Sequence, residues 1–222
     1  MNYIDAHVHV WTPDTLHYPL AKGYRKEDMR PASFTPEELF KHTRPNGVTR
    51  VNLIQMSYYG FDNSYMTDMI GVHKGVFVGT AVIDPAGKDP AAEMTALAKK
   101  GVRAFRIYPG LAGGTKPNEG AGKGWLRPPG YARMFAAAAR NNQAVSCLIG
   151  PDALPDLDRM CRDHPGAPVV IDHLARIGVD GTVRDEDVKA LCAMARHKRI
   201  MVKVRAFYAL GKENRPTPTS GR

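Results

Sequence analysis

Asp5, His7 and His9 alternate through the run IDAHVHVW at residues 4–11. In an extended strand, residues two apart share a face. These three side chains would therefore line one side, with Ile4, Ala6, Val8 and Val10 as an apolar opposite side. Two imidazoles held side by side on a rigid strand suit one divalent metal or one charged substrate group. A second polar set lies in VRAFRIY, residues 102–108, where Arg106 and Tyr108 share a face and Phe105 and Ile107 take the other. An inward arginine requires a carboxylate, for which Asp5 is a candidate, or an anionic ligand. PVVIDHLARIG at 168–178 ends an apolar run in Asp172 and His173. Strand alternation sends His173 toward His7 and His9, and Asp172 toward the helix layer or a backbone partner. In IMVKVRAF, 200–207, Lys203 and Arg205 oppose Val202, Val204 and Ala206. An inward Lys203 meets a substrate carboxylate or carbonyl oxygen; an outward one is a solvated lysine.

The elements that must position these residues follow a repeating rhythm. Strands are expected at 3–10, 48–56, 76–83, 102–108, 144–149, 168–173 and 200–207. Helical patterns separate them, and that alternation indicates a parallel sheet. Thr35, Pro36 and Glu38 form a capping box. Asp89-Pro90 opens a helix that stops at Gly101, and helices are also expected over 130–142, 151–163 and 185–198. His164 and His197 fall near helix C-termini, where the macrodipole favours an imidazolium. Links into strands are tight, at Asn46-Gly47 and Gly101, whereas links out of strands are long, at 11–34 and 109–129. In a (β/α) barrel the loops after the strands build the active face. The Gly-rich stretch 110–124 lacks the Gly-Lys-[Ser/Thr] ending of a phosphate loop, because Gly124 follows Lys123. It reads instead as a lid over the barrel mouth.

The 222 residues suffice for one α/β barrel domain. The net charge of +9 is scattered, with no aromatic-interleaved basic stripe, so no nucleic-acid partner is expected. No apolar run approaches the roughly 20 residues that span a membrane. The three cysteines, Cys147, Cys161 and Cys192, form no CxxC pair. A reduced, cytoplasmic setting is expected.

Taken together, IDAHVHVW, GVRAFRIYP, PVVIDHLARIG and IMVKVRAFYALG resemble the amidohydrolase-2 (amidohydrolase-related) family, over residues 1–211. The lactonase-type branch, with pyrone-dicarboxylate and sugar-lactone hydrolases, is the most similar. The resemblance implies a TIM-type (β/α)8 barrel, here truncated after the seventh strand, with 212–222 as a polar tail. It implies hydrolysis of a lactone or related ester or amide bond of a small, carboxylate-bearing substrate, with decarboxylation in one branch. His7, His9 and His173 match the family's catalytic histidines. They would hold a divalent metal, zinc or manganese, or work as a metal-free polarising cluster. Arg106, Tyr108 and Lys203 would bind substrate. Two features depart from the family. The fifth strand carries Ser146 and Cys147 in place of a histidine, and nothing after Gly211 supplies the eighth-strand Asp that serves as general acid/base. A catalytically degenerate binding barrel is the alternative, and a homo-oligomer would cover the open sheet edges.

Overall fold

The computed structural model describes residues 2–111 and 124–204. Seven strands form one parallel sheet in sequential order: β1 (Tyr3–Val8), β2 (Val48–Ile54), β3 (Phe77–Ala81), β4 (Val102–Ile107), β5 (Ala144–Cys147), β6 (Val169–Ile171) and β7 (Ile200–Val202). Between successive strands run α1 (Pro36–Thr43), α2 (Ser64–Val72), α3 (Pro90–Lys99), α4 (Pro129–Asn141), α5 (Leu154–Asp163) and α6 (Asp185–Ala193). This is the repeated βα unit of a barrel. Most of the lid stretch expected at 110–124, the part beyond Val204 of the strand expected at 200–207, and the tail at 212–222 lie outside the described residues.

Every expected strand is present, and each ends earlier than expected. Helix α2 was not among the expected helices; its N-cap Asn63 makes no capping bond and instead bridges to both the amide and the carbonyl of Val82. Helix α1 begins as its capping box requires, with Glu38 accepting from the Thr35 amide at 2.6 Å and Thr35 Oγ1 accepting from the Glu38 amide at 3.4 Å. Thr35→Ala is expected to lower stability by about 1 kcal/mol, read as a shift of the urea midpoint at unchanged slope. Gly101 turns the chain from α3 into β4 at φ +92°, and a Cβ there would sit 2.6 Å from Ile70 Cγ2. Only glycine satisfies both demands.

The core lies between the outer face of the sheet and the helices. Phe105 and Ile107 of β4 join Met94 of α3, Met134 and Phe135 of α4, and Leu157 of α5 in one buried apolar cluster. With these side chains outward, Arg106 and Tyr108 are left on the inner face.

The first strand departs from simple alternation. Val8 and Val10 are buried, but Ile4 is 56% exposed. Two causes combine. Strand β1 is a sheet edge, and its pairing with β2 shifts between Asp5 and Val8, where one strand carries an extra residue. The Asp5 carboxylate accepts from the His7 amide at 3.0 Å, and it does not partner Arg106.

Candidate active site

Each candidate side chain sits at or just beyond the C-terminal end of a strand. His7 is the penultimate residue of β1, Arg106 that of β4; His9, Tyr108, His173 and Lys203 follow the last residues of β1, β4, β6 and β7. Loops that leave these ends are free to vary while the sheet fixes their roots. The sheet curls enough that the first and seventh strands meet through side chains: Lys203 Nζ lies 3.5 Å from His7 Nδ1. The His7 ring centroid is 5.2 Å from that of His9 and 4.8 Å from that of His173.

At the centre is Asp172, which is fully buried. Arg106 Nε and Nη2 donate to its Oδ2 at 3.1 and 2.9 Å. Ser146 Oγ donates to the same oxygen at 2.9 Å, and Lys203 Nζ stands 3.4 Å from Oδ1. Burial alone would raise the pKa of this carboxyl. The Arg106 and Lys203 charges and the Ser146 hydroxyl outweigh it and hold the group below the ordinary carboxylate range.

This corrects the expected orientation of Asp172. The reason is local. His173, Leu174, Ala175 and Arg176 all have φ between +52° and +56°, so the strand gives way at once to a left-handed turn. Such a turn costs roughly 1–2 kcal/mol per non-glycine residue. Alternation itself sends Asp172 inward, since Val169 and Ile171 pack outward in the core and Val170 pairs with Ser146 on the inner row; the turn then brings His173, which would otherwise face outward, round to His7. The Leu174 amide donates to the Lys203 carbonyl and the Lys203 amide to the Ile171 carbonyl, so the strained turn and Lys203 are tied together. Asp172 and Ser146 are the residues that sequence reasoning missed. The inward Arg106 was the available signal, since it demanded a buried carboxylate nearby.

His7 is held neutral, far below the ordinary imidazole range, first by burial and then by the positive charge of Arg106, with His9, Lys203 and His173 adding to it. Its Nε2 is 3.3 Å from Arg106 Nη2. As arranged, His7, His9 and His173 do not fit a divalent cation. Both ring nitrogens of His7 face cationic side chains, which would repel a metal ion. Among the described residues, no group of three or more His, Cys, Asp or Glu side chains is placed to hold one.

His9 and Arg106 open onto a cleft of about 360 Å³, which Tyr24, Gln55, Tyr108 and Leu148 also line. Burial pushes the Tyr108 hydroxyl up to about 12, so it stays protonated. Tyr24 arrives on the long loop after β1, which is pinned by the Thr12 amide on the Tyr59 hydroxyl at 3.0 Å and by the Trp11–Phe34 bridge. Cys147 is fully buried and its thiol is pushed well up by that burial, so it is no nucleophile. The remaining histidines serve elsewhere. His197 Nε2 meets Asp158 at 2.7 Å, His17 pairs with Asp14, and His73 packs between Phe40 and Phe77.

The sequence model of the amidohydrolase family matches residues 4–220. A relative from Rhizobium radiobacter named 4-sulfomuconolactone hydrolase is 25% identical over 202 residues, 90% of this chain and 62% of its own. The chain therefore spans less than two thirds of that relative's length. Among solved structures, a probable 2-pyrone-4,6-dicarboxylic acid hydrolase from Acinetobacter baumannii, with citric acid bound, superposes at TM-score 0.73. It is 22% identical, with 95% of this chain and 73% of that one covered. An amidohydrolase from Burkholderia multivorans with bound zinc superposes at TM-score 0.74 with 16% identity, covering 94% and 71%. Both likenesses are of fold.

Proposed function

This chain belongs to the amidohydrolase family, and from that premise we propose that it is a hydrolase opening the ring of a small anionic lactone. The observation that carries the reading is the charge balance at the strand ends. Two basic side chains, Arg106 and Lys203, share the buried carboxylate of Asp172, and Arg106 also lines the cleft. A positive site walled by protein favours an anionic substrate group, or the oxyanion that develops as water adds to a lactone carbonyl. The guanidinium is already oriented by Asp172, so little reorganisation is needed when that charge appears. Tyr108 supplies a protonated hydroxyl to the same cleft. His7, held neutral by burial and its cationic neighbours, packs behind against the His173 ring. The relatives named for acidic lactones support this substrate class.

The test is ring opening of 2-pyrone-4,6-dicarboxylate, followed by loss of the pyrone absorbance. Arg106→Gln is expected to slow turnover by about 10²–10³-fold, the scale of losing one oriented donor. Prior chelation is expected to leave the wild-type rate unchanged, because the His7 surroundings do not suit a cation. A chelated enzyme that lost activity and recovered it with zinc or manganese would overturn that part of the reading. An Arg106→Gln variant of full activity would overturn the role of the guanidinium.

A further inference from the structure

A larger opening lies at the other end of the strands. A cleft of about 690 Å³ sits between the C-terminal ends of α2 and α3, over the first residues of β3 and β4. Its size is that of a small-molecule site. Four basic side chains surround it: Lys74, Lys99, Lys100 and Arg103. Asp68 is the one acid on the lining, and its carboxylate accepts from the Tyr18 hydroxyl at 3.0 Å. Among the described residues none of the four basic side chains is ion-paired.

Helix ends account for part of this charge. Both α2 and α3 finish here, and each C-terminus carries roughly half a negative charge. Arg103 Nη1 serves α3 directly, donating to the carbonyls of Ala98 and Val102 at 2.8 and 3.2 Å. Four positive charges against two half charges and one aspartate leave a surplus of about two. Such a surplus around one cleft attracts anions.

The glycines are an independent observation. Gly71 lies within α2 and lines the cleft. Glycine weakens a helix relative to alanine, and internal packing does not require it here, since an added Cβ would meet nothing within 4 Å. At Gly75, also on the lining, an added Cβ likewise meets nothing. One wall of the cleft is thus bare backbone, which a ligand can approach closely.

We infer that this cleft binds a small molecule carrying two or more phosphate groups. Three of its four cations are lysines, compact charges on flexible stems. The guanidinium of the fourth is partly spent on Ala98 and Val102. This set lacks the fixed fork that selects a planar carboxylate, and it suits a compact anion of high charge. Ile70 and Phe77 give the cleft an apolar floor, against which an organic body attached to the phosphates can lie. The site stands apart from the strand-end network and does not depend on the hydrolase reading.

The probes are inorganic triphosphate and adenosine triphosphate, each titrated into the full chain and followed by calorimetry and ¹H–¹⁵N spectra. Saturation is expected with Kd below about 1 mM, with shifts at the amides of Gly71, Gly75 and Gly101 and not at those of Arg106 and Tyr108. Tighter binding of the nucleotide supports a phosphorylated organic ligand, and equal binding supports the phosphates as the whole ligand. The double variant Lys99→Gln, Lys100→Gln is expected to bind about tenfold more weakly or worse. Gly71→Trp keeps every charge, fills the cleft and is expected to abolish saturation. All three positions are exposed, so both variants are expected to give the dispersed spectra of a folded chain. Wild-type binding by Gly71→Trp would reduce the effect to surface charge and overturn the proposal. Unchanged binding by the lysine variant, shifts confined to the strand ends, or no saturation by either probe would overturn it too.

Discussion

Asp172→Ala lowers the unfolding free energy by about 3–5 kcal/mol, measured by urea denaturation. The value is that of removing one partner from a buried ion pair. The Arg106 side chain is 8% exposed, and without Asp172 its charge would stay buried with its main counter-ion gone. Ser146 and Lys203 would lose their shared acceptor as well. The double variant Arg106→Met, Asp172→Leu is expected to regain much of the loss, since it removes the charge along with its partner. Recovery would show that the damage lies in the orphaned cation. No recovery would place it in the left-handed turn that begins just after Asp172. The same carboxyl sets a pH dependence. Its folded-state pKa is depressed, so its contribution is complete above the unfolded value of about 3.9 and fades as pH falls through the folded one. Wild type and Asp172→Ala therefore converge in stability under acid.

Gly130→Ala is the second severe change. An added Cβ would stand 1.6 Å from the carbonyl oxygen of Pro85. That neighbour is backbone, so no rotamer change relieves the clash. Either the loop after β3 or the first turn of α4 must move. The adjoining residues of α4, Tyr131, Met134 and Phe135, are almost wholly buried, and shifting them spreads the strain into the core. The expected loss is about 3 kcal/mol, at the top of the overpacking range, read as a fall in melting temperature. A change within 0.5 kcal/mol, the size of an ordinary surface substitution, would show that the Pro85 loop yields freely.

The contrast between these residues shows what was readable in advance. Seven strands were legible because they are short, mostly Val/Ile-rich runs, several of them opened by a turn residue, as at Gly47, Gly75, Gly101 and Pro168. The inward set His7, His9, Arg106 and Tyr108 followed from alternation in strands whose outward residues were apolar. Lys203 was only half determined, because a lysine at a sheet edge has two sensible directions. Asp172 was misplaced because His173 was set inward: with Val169 and Ile171 packed outward, alternation sends Asp172 inward, and only a turn brings His173 to the same side. Positive φ at four consecutive non-glycine residues has no signature in the types His, Leu, Ala and Arg, which ordinarily avoid that region. The exposed Ile4 failed for a similar reason: an irregular register and a sheet edge are properties of pairing, which composition does not encode. Helix α2 was not read from the sequence although Asn63 is a favoured N-cap type; in the fold that side chain bonds Val82 and not the helix.

The meeting of His7 with Lys203 spans 196 residues of chain, whereas every strand pairs with the one next to it in sequence. Each βα unit can therefore dock on its predecessor as it emerges, adding only local contacts. The closure between the first and seventh strands must wait for nearly all of them, at a large loop-closure entropy. During synthesis the sheet exists well before the site does. The contact of His7 with Lys203 is then among the last features to form, and it is a sharper witness of a fully assembled sheet than helix or strand content.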